Sequence, residues 1–177
     1  TMSKTGIPSL DLGDFLSGNK DLKQQFVNEL GAAYAEIGFV SIKNHGISES
    51  TINALYDKIK EFFALPEETK KKYELKETGG QRGYTSFGKE HAKDSSEGDL
   101  KEFWHFGQEV YSHEYPQNVH VSEIPDFLKI GLKAYKEFEN SGRNILKAIA
   151  LYLNLAEDYF EKYIIDGNSI LRPIHYP

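Results

Sequence analysis

The chain has 177 residues, 39% hydrophobic, 13% aromatic and 27% charged, with 21 basic and 27 acidic side chains giving a formal charge of -6. That length is enough to bury roughly 70% of the surface of the unfolded chain and predicts a single domain. The absence of cysteine excludes disulfides, thiolate nucleophiles and cysteine-ligated zinc, and fits a reducing compartment, the cytoplasm. There is no basic stripe of the kind that binds nucleic acid, no apolar run near the ~18 residues of a membrane span, and no secretion-signal pattern at the start.

In chain order, "GIPSLDL" predicts a short strand opened by Gly6 and Pro8. "NKDLKQQFVNELGAAYAEIG" spaces Phe26, Leu30, Tyr34 and Ile37 as a helical stripe that stops at Gly38. "FVSIKNHG" predicts a strand, and Ser48 is placed to cap a helix with Ile52, Leu55, Tyr56, Ile59, Phe62 and Phe63 on its apolar side. "PEETKKKY" predicts one or two helical turns, acidic at the start and basic at the end, with Lys70 to Lys72 as a solvated helix end.

Residues 77–100 are glycine-rich and polar and predict a long loop with short extended pieces. "KEFWHFGQEV" alternates as a strand. From Ser122 a long helical pattern follows, with Gly142 as its weak point. A short helix over "AEDYFEKYI", a turn at "DGN" and a terminal strand "SILRPIHYP" complete the order. The class is α+β. Strand alternation puts Ile170, Arg172, Ile174 and Tyr176 on one face and Leu171, Pro173 and His175 on the other, with Pro173 marking an edge or a bulge.

The chemistry-bearing motifs are few. None of the six histidines stands in a His-x-Asp, His-x-Glu or HExxH spacing, so no metal site is expected from these residues alone. No nucleophile elbow, phosphate loop or dinucleotide fingerprint occurs. His45 reads as a structural hydrogen-bonder. His105 is either a satisfied core residue or part of a pocket wall. Arg82 offers a planar fork for a carboxylate, and pairing with a nearby acid is the alternative. On the loop at "GGQRGYTSFG", Arg82 and Tyr84 are candidates for a lid over a substrate.

The ordered pieces "IPSLDL", "AAYAEIGFVSIKNHGI", "EFFALPEETKKKY", "QRGYTSFG", "DLKEFWHFG" and "LRPIHYP" span almost the whole chain. Together they resemble the N-terminal half of the isopenicillin N synthase-like non-haem iron oxygenases, most of which use 2-oxoglutarate. The resemblance implies a helix-rich N-terminal region of a double-stranded β-helix (jelly-roll) oxygenase. Residues 1–177 would be one domain portion running into the first jelly-roll strands at about 168–177, with the metal-bearing strands, and so the iron ligands, absent from this chain.

The resemblance further implies an oxidoreductase that hydroxylates, desaturates or cyclises a small molecule with Fe(II), 2-oxoglutarate and dioxygen, ascorbate being an optional reductant. This chain alone would be inactive. Tyr176 matches the tyrosine that contacts the far carboxylate of the cosubstrate, while Ile174 stands where some plant members carry an Asn for that ligand. Arg82 and Tyr84 match the region that reaches over the substrate in the synthase, which would make the substrate anionic if Arg82 clamps it. Two other readings stand beside this one: an iron-dependent oxidase of the same family without 2-oxoglutarate, and a non-catalytic binding or scaffold module. Neither nucleic acid nor membrane is an expected partner.

Overall fold

A computed structural model describes residues 6–88, 100–109 and 115–177. The chain forms two compact units, residues 1–47 with 137–165 and residues 48–136 with 166–177.

The first unit opens with β1 (Ser9–Asp11), α1 (Leu12–Leu16), α2 (Lys20–Glu36) and β2 (Ser41–Lys43). β1 and β2 pair in parallel with Leu10 opposite Ile42, so the two helices form the crossover that a parallel pair requires. Both helix starts are written in the sequence: Asp11 accepts from the Gly13 N–H at 2.8 Å, and Asn19 accepts from Asp21 and Leu22 at 2.9 and 3.1 Å. Asn44, left-handed at φ 49°, returns its amide to both oxygens of Asp11 at 3.0 Å. His45 accepts the Ile47 N–H at 3.0 Å, the structural use expected of it. The core is apolar: Leu10, Leu12, Phe15, Phe26, Val27, Leu30 and Ala148. The stripe of α2 differs from its expected edge, because Ala33 is buried while Tyr34 and Ile37 are exposed.

The long helix α5 (Phe127–Tyr152) runs 26 residues and carries straight through Gly142. Its residues to Lys136 belong to the second unit and the rest to the first, which α6 (Glu161–Ile164) also joins. At Gly31 an added Cβ would fall 2.1 Å from the Tyr152 ring, so only glycine allows α2 that approach.

The second unit starts with α3 (Glu49–Phe63), capped by Ser48, whose hydroxyl accepts the Thr51 N–H at 3.2 Å. α4 (Glu67–Lys71) and a 3-10 turn (Lys76–Thr78) follow. The sheet is antiparallel. β4 (Glu102–Gly107) lies between β3 (Gly83–Thr85) and the terminal segment, which is split into β5 (Ile170–Leu171) and β6 (Ile174–His175). The split falls at Arg172 and Pro173, where proline has no N–H to give to the ladder. Of the four expected strands the first three thus appear, two of them shortened to three residues, and the terminal one is broken in two, while β3 arises within the stretch expected as a loop with short extended pieces.

The core of this unit is aromatic. Phe62 lies 4.8 Å from Trp104 and 5.3 Å from Phe127 between ring centroids, and Trp104 meets Phe127 edge-on at 5.0 Å. Each such pair adds about 0.5–1.5 kcal/mol beyond the area it buries. Among the described residues no helix is long and apolar enough to cross a membrane.

Candidate functional site

The second unit buries charge as well as aromatics. Glu102 is 1% exposed, and three side chains converge on it. Lys70 donates to Oε2 at 2.8 Å, the Tyr84 hydroxyl donates to the same oxygen, and His175 Nδ1 stands 2.9 Å from Oε1. Lys70 also donates to the Phe63 carbonyl at 3.1 Å. Burial opposes ionisation of Glu102, but the bonds from Lys70, Tyr84 and His175 outweigh it and hold the carboxyl below its ordinary value. Burial, reinforced by the bond to Glu102, pushes the Tyr84 phenol well above its ordinary value.

Lys70 therefore is not part of a solvated helix end. It is 4% exposed, while Lys71 and Lys72 on either side of the turn face solvent. The helix is one turn long, so the run of three lysines wraps around it and one must point inward. The sequence signal for this was Glu102, an acid at an inward position of an otherwise aromatic strand.

Arg82 and Tyr84 are not on a mobile lid. Gly83–Thr85 is strand β3, paired with Thr85 opposite Phe103, and the two side chains are 1% and 2% exposed. Arg82 packs its guanidinium against Gly107, where an added Cβ would fall 2.0 Å from Cζ. Its Nη1 donates to the Gln81 carbonyl at 2.8 Å, while Nε and Nη2 have no hydrogen-bond partner among the described residues. Those two atoms form one edge of the guanidinium, the edge that takes a carboxylate with two parallel bonds. Burial lowers the Arg82 pKa from its ordinary value, with Tyr135 and Glu109 acting against the shift.

His105 is a core residue, 4% exposed. Its Nδ1 donates to the Gly80 carbonyl at 2.7 Å and its Nε2 accepts from Arg172 at 2.7 Å, which fixes the neutral tautomer. The Arg172 guanidinium lies 4.5 Å over the Phe103 ring. The alternation expected of the terminal segment holds: Ile170, Arg172, Ile174 and Tyr176 are exposed, and Leu171, Pro173 and His175 are half-buried. Tyr176 is 66% exposed.

Among the described residues no three His, Asp or Glu side chains gather as a metal would require. His45, His105 and His175 each have a ring nitrogen engaged as above, and His91 and His113 lie outside the described residues.

The family model described as "non-haem dioxygenase in morphine synthesis N-terminal" matches residues 7–126, and the chain belongs to the isopenicillin N synthase-like non-haem Fe(II)/2-oxoglutarate oxygenases. Among its relatives, the 2-oxoglutarate-Fe(II) type oxidoreductase ppzD of Metarhizium rileyi is 30% identical over 97% of this chain and 52% of the relative. The 1-aminocyclopropane-1-carboxylate oxidase of Dictyostelium discoideum is 30% identical over 97% of this chain and 49% of the relative. A crystal structure of a 2OG-Fe(II) oxygenase family protein from Caulobacter crescentus superposes with a TM-score of 0.84 at 38% identity, over 97% of this chain and 56% of that one. The chain spans about half the length of the curated relatives it matches.

Proposed function

We propose that the protein oxidises a small organic molecule with Fe(II), 2-oxoglutarate and dioxygen. The observation that carries this reading is the likeness, over nearly the whole chain, to a 2OG-Fe(II) oxygenase family structure at 38% identity. When bound, the iron and its cosubstrate supply the oxidising power, and 2-oxoglutarate leaves as succinate and carbon dioxide. The residues of this chain bind and orient. Tyr176 donates its hydroxyl to the far carboxylate of 2-oxoglutarate. Arg82 takes a carboxylate of the primary substrate on its Nε–Nη2 edge, which makes that substrate anionic. Tyr84 serves the same site by anchoring β3, since its hydroxyl is already held by Glu102.

The test is iron-dependent release of succinate from 2-oxoglutarate by the full-length protein, with binding of 2-oxoglutarate followed by calorimetry. Absence of both overturns the reading. The similarity to a 1-aminocyclopropane-1-carboxylate oxidase favours a second reading, an iron-dependent oxidase that does without 2-oxoglutarate. Oxygen consumption that requires iron but not 2-oxoglutarate selects it.

A further inference from the structure

We propose that Glu102, acting through His175, is a positioning residue that seats the terminal strand and so presents Tyr176 to the cosubstrate. The proposal rests on the 2-oxoglutarate reading above.

The terminal segment is weakly held by its backbone. β6 has two residues, paired as Glu102 with His175 and Phe103 with Ile174. It is separated from β5 by Arg172 and Pro173, and across that gap the Trp104 N–H to Pro173 carbonyl bond, at 3.1 Å, carries the ladder. So short a ladder specifies its register poorly, and a slip of one residue would carry Tyr176 to the opposite face of the sheet.

The buried cluster supplies the missing specification. Lys70 and Tyr84 both engage Oε2 of Glu102, which fixes the rotation of the carboxylate and turns Oε1 toward His175. Because Glu102 and His175 are also register partners, this side-chain bond ties together the same two residues that the ladder pairs. The imidazole is further held by stacking on Phe63, with 5.5 Å between centroids, and by the edge of Phe87 at 6.4 Å. Among the described residues the charged group that touches it is Glu102 from β4, which in turn holds Lys70 from α4 and Tyr84 from β3. With His175 seated inward, alternation sends the next residue, Tyr176, outward, where it is 66% exposed.

The experiment is a double-mutant cycle on the 2-oxoglutarate dissociation constant of the full-length protein, measured by calorimetry. Tyr176→Phe is expected to raise the constant by about tenfold to hundredfold. His175→Ala is expected to raise it comparably in the native background and by less than about twofold on top of Tyr176→Phe, because both changes remove one contact. His175→Asn, whose amide can still donate to Glu102, is expected to restore most of the affinity.

A second measurement does not depend on any ligand. Residues 1–177 contain no cysteine, so Tyr176→Cys adds the one thiol of this stretch, and peptide mapping assigns the label to it. Its labelling rate is expected to change about tenfold or more when His175→Ala or Glu102→Gln is added. Unchanged labelling overturns the proposal, as do additive effects of His175→Ala and Tyr176→Phe on affinity. If Tyr176→Phe leaves the constant unaltered, it is the 2-oxoglutarate reading of Tyr176 that fails, and the positioning role falls with it.

Discussion

The two units bury their interiors by different means. Leu10, Leu12, Phe15, Phe26, Val27 and Leu30 form an apolar core in the first, where polar side chains serve as helix caps and turn ties at the surface. The second encloses Lys70, Arg82, Glu102 and His105 among Phe62, Trp104, Phe106 and Phe127. An apolar core tolerates substitutions that conserve its volume, because neighbouring side chains can repack around them. A buried ionic cluster is not, because removing one member strands the others without water. The physical lesson is that the first unit is built for stability and the second for holding specific groups in specific places.

That contrast breaks most visibly at Glu102. Glu102→Ala leaves Lys70 buried without its partner and is expected to lower stability by about 3–5 kcal/mol, read as a drop in the urea midpoint. Replacing both partners with apolar residues, as in Lys70→Met with Glu102→Leu, is expected to recover most of that loss. If the double change is as damaging as the single one, the cluster acts by packing and not by charge. In the first unit Leu30→Ala, at a fully buried position, is expected to cost about 2–5 kcal/mol by leaving a cavity. There no second substitution elsewhere should rescue it except one that refills the volume.

The pH dependence sharpens the same difference. An unfolded glutamate titrates near about 4.3, and the folded Glu102 lies below that, so its contribution is complete above about 4.3 and is lost as pH falls through the folded value. Tyr84 is shifted upward, so its contribution is complete below about 10 and is lost as pH rises toward the folded value. Denaturant midpoints measured across pH should thus fall at both extremes, and Glu102→Gln should flatten the acid limb. An acid limb unchanged by Glu102→Gln would assign it to other carboxylates.

At Arg82 the expected change is read in binding. Gly107→Ala puts a Cβ into the space of the guanidinium and must displace it with its charge intact. It is expected to weaken an anionic substrate while leaving 2-oxoglutarate binding unaltered, which separate titrations would read. The smallest effect expected is at the surface of the second unit. Lys58 bridges Glu61 and Asp126 at 3.1 and 3.2 Å, and because solvent screens such a pair Lys58→Ala should move the urea midpoint least of all these changes.

Much of the architecture was legible in residue order. Ser48 announced the cap it forms and "KEFWHFG" the central strand, while Pro173 marked an edge or bulge where the last strand is in fact split. These are local signals, set by side-chain period, backbone donors and capping chemistry within a few residues. The family, too, was legible, because its pieces stand in order along the chain. What sequence could not give was which polar side chains go inside. Lys70 reads as one of three equivalent lysines, and its burial follows from an acid 32 residues away. Arg82 and Tyr84 sit in a glycine-rich stretch that reads as a loop, and they become buried strand neighbours because β4 pairs with that stretch. Desolvation is a property of the assembled surroundings and not of the segment, so only the tertiary structure decided that these charges are enclosed, and that His175 meets Glu102 while Tyr176 faces out.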